Sequence, residues 1–132
     1  MDFWFEKQTL ANVSYKGRKK TKLKLPAGTI VQVWMYHPEG CDGLAYAIIR
    51  YGKHQLYPTN PETAYHGGGV PMTFPDNLKL GEPVELTLET WNSDDTYPHY
   101  VYVRITVLRF VIEKWKMDLS YFIDKFRRMV GV

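Results

Sequence analysis

Four consecutive residues, His66-Gly67-Gly68-Gly69, have the chemistry of an oxyanion trap, because glycine amides in an open loop can converge on a developing negative charge. Such a trap serves a nucleophile. The serines, Ser14, Ser93 and Ser120, all lack the Gly-x-Ser-x-Gly turn that would present one, so the run reads as a flexible loop. Cys41 follows His37 by four residues, a spacing at which an imidazole would draw the proton from a thiol. A lone cysteine in a turn is more often inert, and this pair is set aside as well. With a single cysteine the chain forms no internal disulfide and no multi-cysteine zinc site.

Metal chemistry meets a similar obstacle. His37, His54, His66 and His99 are scattered, no His-Glu-x-x-His helix is present, and Asp94 with Asp95 matches no calcium-loop spacing. The expectation is no catalytic residue, no metal ligand and no cofactor; a metal-dependent enzyme built on these histidines with Asp94 or Asp95 ranks third among the functional readings. Asn12-Val13-Ser14 has the form of a glycosylation acceptor, which means little without a secretory signal.

Two stretches suit binding better than catalysis. The segment Trp91 to His99 combines Trp91, Tyr97 and His99 with Asp94, the mixture that stacks a sugar ring and bonds its hydroxyls. Tyr65 joins them if both loops share one end of a sandwich; the competing reading makes Trp91 a cap on the core. Lys16, Arg18, Lys19, Lys20, Lys22 and Lys24 crowd nine positions, dense enough to neutralise backbone phosphates without reading sequence. The preferred reading of that run is a lysine-coated edge strand protected against aggregation. The net charge of +3 is too mild to argue for nucleic acid on its own.

The elements that must position these residues follow from side-chain rhythm. Val84, Leu86 and Leu88 alternate with Glu85, Thr87 and Glu89; Val101, Val103, Ile105 and Val107 alternate with Tyr100, Tyr102, Arg104, Thr106 and Leu108. Phe3 to Val13 suits an edge strand or an arm. Lys22 to Leu25 ends as a strand before the turn Pro26-Ala27-Gly28, and Thr29 to His37 is apolar on both faces, as in a strand buried between two layers. Leu44 to Tyr51 and His54 to Tyr57 form a hairpin through Gly52-Lys53. Prolines and glycines from Pro58 to Pro75 break any ladder, and Asp76-Asn77 reads as a turn. From Ile112 the period lengthens to that of a helix reaching about residue 130. Its apolar stripe, Trp115, Leu119, Phe122, Ile123, Phe126 and Met129, is a candidate self-association surface. Glu113, Asp118 and Asp124 argue against a membrane surface as its destination.

The pattern predicts one domain over 1–132: an all-β antiparallel sandwich to about residue 111, jelly-roll or immunoglobulin-like, with a C-terminal amphipathic helix at 112–130. The alternative is an α+β roll with the helix on an open sheet. The opening residues lack a secretory signal's basic and apolar segments, and no run reaches the roughly 18 apolar residues of a membrane span, which predicts a soluble, non-secreted protein, cytoplasmic or virion-associated. The functional expectation is a non-catalytic structural or assembly module of capsid, fibre or appendage type. It self-associates or docks on a larger particle; the alternative is a carbohydrate- or small-ligand-binding module.

Overall fold

The computed structural model describes residues 1–109. The helix expected at 112–130, and with it Trp115, Leu119, Phe122, Ile123, Phe126 and Met129, lies outside the described residues. Within them, nine strands follow in order: β1 Asp2–Thr9, β2 Lys19–Leu25, β3 Gly28–Tyr36, β4 Ala45–Tyr51, β5 His54–Tyr57, β6 Tyr65–His66, β7 Met72–Leu80, β8 Val84–Asn92 and β9 His99–Leu108. A 3-10 turn, Glu39–Cys41, links β3 to β4.

Every pairing is antiparallel. One sheet has the order β1-β9-β3-β7, and the other β2-β8-β4-β5 with β6 also on β4. The first four strands thus alternate between facing sheets, β5 pairs with β4 in the same sheet, and the chain later returns to lie beside its own start. That winding is the jelly roll, which separates it from the immunoglobulin alternative. Two layers close on each other here, so the sandwich and not the open-sheet roll is the architecture of the described residues.

The alternation read from sequence decides which residues meet between the layers. Leu23 and Leu25 of β2, Leu86 and Leu88 of β8, and Val101, Val103, Ile105 and Val107 of β9 are buried, joined by Ile30, Val33, Met35, Ala47 and Ile49. Fully burying each such aliphatic side chain contributes roughly 1.5–3 kcal/mol. Between the layers the buried Thr9 hydroxyl donates to Thr90 Oγ1 at 2.8 Å, joining the two sheets. Gly28 is required by close approach, because a Cβ there would stand 2.4 Å from the Leu108 carbonyl oxygen.

The stretch Pro58 to Pro75 is more ordered than its composition suggests. It holds β6 and the first half of β7, and Asp76-Asn77, expected as a turn, continues that strand. Pro75 is tolerated because β7 is the outermost strand of its sheet and the ladder to β3 slips between Ile30 and Gln32, beside Pro75. The expected loop 91–99 is likewise shorter, since β8 runs through Asn92 and β9 begins at His99. Among the described residues no helix is long and apolar enough to cross a membrane.

Candidate functional site

With inward positions taken by the core, the outward positions of β1, β9 and β3 form a second, aromatic surface. Strand register sets Trp4 opposite Arg104 and Arg104 opposite Trp34, with Glu6, Tyr102 and Tyr36 in the next row. The two indole rings meet edge-on at 5.5 Å, and the Arg104 guanidinium lies 5.3 Å from one and 5.6 Å from the other. Its Nη2 donates to Gln32 Oε1 at 2.9 Å, which fixes the plane of the fork. From Trp34 the rings continue to Tyr36 at 5.9 Å, Tyr102 at 6.2 Å and Tyr100 at 6.0 Å. Trp4 is 61% exposed and Tyr100 41%.

This surface explains why Thr29 to His37 reads as apolar on both faces. β3 is not sandwiched between two layers: Ile30, Val33 and Met35 enter the core, whereas Trp34 and Tyr36 are half-buried among neighbouring rings on the outside. None of Trp4, Trp34, Tyr36, Tyr100, Tyr102 and Arg104 stands among the sequence candidates. The available signal is aromatic residues at the positions that strand alternation assigns to solvent.

Of the five candidate ligand residues, Asp94, Tyr97 and His99 meet in one turn, whereas Trp91 and Tyr65 stand apart from it. Trp91 stands in β8 on the outer face of the other sheet, its ring near-parallel to Tyr46 at 5.4 Å and edge-on to Tyr15 at 5.0 Å. Tyr65 turns to the opposite side and stacks on Phe74 at 5.1 Å; burial pushes its hydroxyl pKa up to about 12. Asp94 is engaged internally, accepting from the Thr96 amide at 2.8 Å, the Tyr97 amide at 3.2 Å and His99 Nε2 at 2.7 Å. The Thr96 amide, then His99, hold the Asp94 carboxyl below the usual carboxylate range. His99 is buried, so Asp94 and His99 shape the turn; only Tyr97, 65% exposed, points freely to solvent. Asn92, fully buried, completes the knot by donating to the carbonyls of Thr9, Leu10 and Tyr97.

The basic run divides. Lys19, Lys20, Lys22 and Lys24 lie exposed along β2, the outer strand of its sheet, while Leu23 and Leu25 face inward. Lys16 is exposed in the preceding turn. Arg18 leaves the group: its Nε donates to Glu89 at 2.6 Å and its guanidinium lies 4.3 Å from the Tyr15 ring centre. Arg50 binds the same Glu89 oxygen at 2.9 Å. Burial alone would raise the Glu89 pKa, but hydrogen bonds and positive charge from Arg18 and Arg50 outweigh it and hold the carboxyl below its ordinary value.

The glycine run is pinned. The Gly69 amide donates to the His37 carbonyl at 2.8 Å, the Gly67 carbonyl accepts from Gly43, and a Cβ on Gly68 would press on the backbone of Asp42 and Glu39 at 3.2–3.3 Å. The glycines are there so that two loops can touch. Cys41 and His37 are both buried, and the thiol, pushed up by burial, donates to the Tyr100 carbonyl at 3.8 Å. Neither nitrogen of the His37 ring has a hydrogen-bond partner among the described residues. No group of three or more metal-ligating side chains forms among the described residues.

No family model and no curated protein matches the chain. Among solved structures it is similar to the Yersinia pseudotuberculosis-derived mitogen, at 8% identity and a TM-score of 0.43 over 82% of this chain and 86% of that one. It is also similar to tomato aspermy virus, at 11% identity and a TM-score of 0.36 over 67% and 76%. A third similarity, to infectious bursal disease virus Gx strain, has 13% identity and a TM-score of 0.25 over 80% of this chain and 30% of that one.

Proposed function

We propose that the chain is a non-catalytic assembly module that associates with a second copy of itself through the outer face of the four-stranded sheet. The observation that carries this is the row Trp4, Arg104, Trp34 with its tyrosine continuation. Tryptophan, tyrosine and arginine are the residues that dominate binding energy at protein interfaces, and here they are contiguous on a broad sheet face. A pleated surface of this kind suits another protein better than a small molecule, which needs a concave site. A contact about a two-fold axis uses the same patch on both partners. Rings and a guanidinium in one patch supply both halves of a cation–π contact. The stripe that the sequence predicts at Trp115, Leu119, Phe122, Ile123, Phe126 and Met129 would add a second contact.

Mass measurement by light scattering across a concentration series tests the reading. The full chain is expected to assemble, and the double substitution Trp4→Ser with Trp34→Thr, both outside the core, is expected to yield a monomer with an unchanged β-type circular dichroism spectrum. A wild-type chain that stays monomeric at high concentration overturns the proposal. So does a double variant that assembles as before while Phe122→Asp dissociates, since the contact would then belong to residues 112–130.

A further inference from the structure

The opposite sheet carries a different kind of surface. Across β8, β4 and β6 the register places Trp91 opposite Tyr46 and Tyr46 opposite His66, so that three rings from distant parts of the chain form one row on the outer face. Tyr46 and Trp91 are within 9° of parallel, His66 follows at 5.3 Å, and Tyr15 closes the far end edge-on. Beside this row the segment Pro61 to Ala64 rises as a second wall, leaving a cleft of about 520 Å³. That wall is built, because the buried Gln55 amide donates to the carbonyls of Pro58, Asn60 and Thr63 at 2.8, 3.0 and 3.0 Å.

We propose that this cleft binds a neutral sugar ring. A pyranose presents a face of C–H bonds that lies against aromatic rings and an equator of hydroxyls that seeks polar partners. The row from Tyr15 to His66 supplies the first surface, and Glu62 with Thr63 on the facing wall supplies the second. Charge decides against an anionic ligand. Arg18 and Arg50 on this face are both bound to Glu89, no lysine or arginine is among the residues that line the cleft, and its wall carries the Glu62 carboxylate, which disfavours phosphate or carboxylate. The proposal is independent of the assembly reading, since the cleft and the Trp4–Arg104–Trp34 row belong to different sheets.

The test is an array of neutral glucose, galactose, mannose and N-acetylglucosamine oligomers probed with the full chain, then calorimetric titration of the sugars retained. A ten-residue oligo-dT serves as the anionic, ring-bearing competitor. At least one neutral oligomer is expected to bind, with affinity falling at least tenfold in Tyr46→Ala and in Glu62→Ala and unchanged in Lys19→Ala with Lys20→Ala. Glu62 is exposed, so its variant is read on a folded protein even if the Tyr46 variant fails to fold. An array with no neutral sugar bound overturns the proposal. So does sugar binding that survives both cleft substitutions, or salt-dependent oligo-dT binding that Tyr46→Ala abolishes.

Discussion

The Tyr57 hydroxyl donates to the Asp76 carboxylate, tying β5 on the margin of one sheet to β7 on the margin of the other. This bond gives Asp76 a reason to stand inside a strand. Burial, then the hydrogen bond and charge of Asp76, with a smaller contribution from Tyr65, push the Tyr57 pKa far above its ordinary value. Tyr57→Phe removes a charge-assisted bond and leaves the carboxylate short of a donor, and is expected to lower stability by about 1–2 kcal/mol in urea denaturation. The raised folded value also fixes a sign. The stabilisation is complete below the ordinary tyrosine range near pH 10 and is lost as pH rises beyond it, so Tyr57→Phe should flatten the alkaline limb of the stability profile.

His37 sets an acid limit. Its ring is fully buried without a hydrogen-bond partner among the described residues; burial, aided by the nearby His66, lowers its pKa from 6.5 to about 4. A depressed folded value means that the neutral ring favours the fold above pH 6.5 and that this advantage drains away as pH falls from 6.5 to about 4. His37→Leu is expected to unfold at lower pH than the parent, with a shallower dependence between those limits, measured by acid titration of tryptophan fluorescence.

Glu89 is the shared acceptor of two arginines, and its substitution strands both. Glu89→Gln is expected to cost about 2 kcal/mol at neutral pH, less than for a fully buried pair because Arg18 and Arg50 keep some solvent contact. Since the folded carboxyl titrates below its ordinary value near 4.5, this stabilisation holds above that pH and disappears as acid is added. Parent and variant should therefore converge in denaturant midpoint as pH falls below 4.5.

Gly28→Ala is expected to cost about 3 kcal/mol in thermal or urea unfolding, because the new methyl group meets the Leu108 carbonyl oxygen at 2.4 Å and Val107 Cγ1 at 2.8 Å. Gly40→Ala, where nothing stands within 4 Å of the added carbon, is the matched control and should be close to neutral.

Period-two patterning was enough to locate most of the core, since Leu86, Leu88, Val101, Val103, Ile105 and Val107 each alternate with polar or half-exposed residues and are all buried. It was not enough where both parities are apolar, as in β3, because alternation then carries no information about which side meets water. Pairings across the chain were equally hidden. Asp76 looks like a turn residue until Tyr57 is beside it, and Trp91 joins Tyr46 and His66 only through strand order, which local rhythm does not encode. Asp94 and His99 meet at 2.7 Å, but the hydrogen bonds of Asp94 turn inward to the loop.

The lone imino residue at position 75 in the last strand of its sheet bears on how copies of this molecule can meet. A foreign strand laid alongside would find a donor missing there, and on the far side of the other sheet it would face the ammonium groups of Lys20, Lys22 and Lys24. Pairing of a foreign strand with β7 or with β2 is thereby obstructed. Under the assembly proposed above, contact between molecules would fall on the flat of the sandwich, where a two-fold pairing would cover both patches at once.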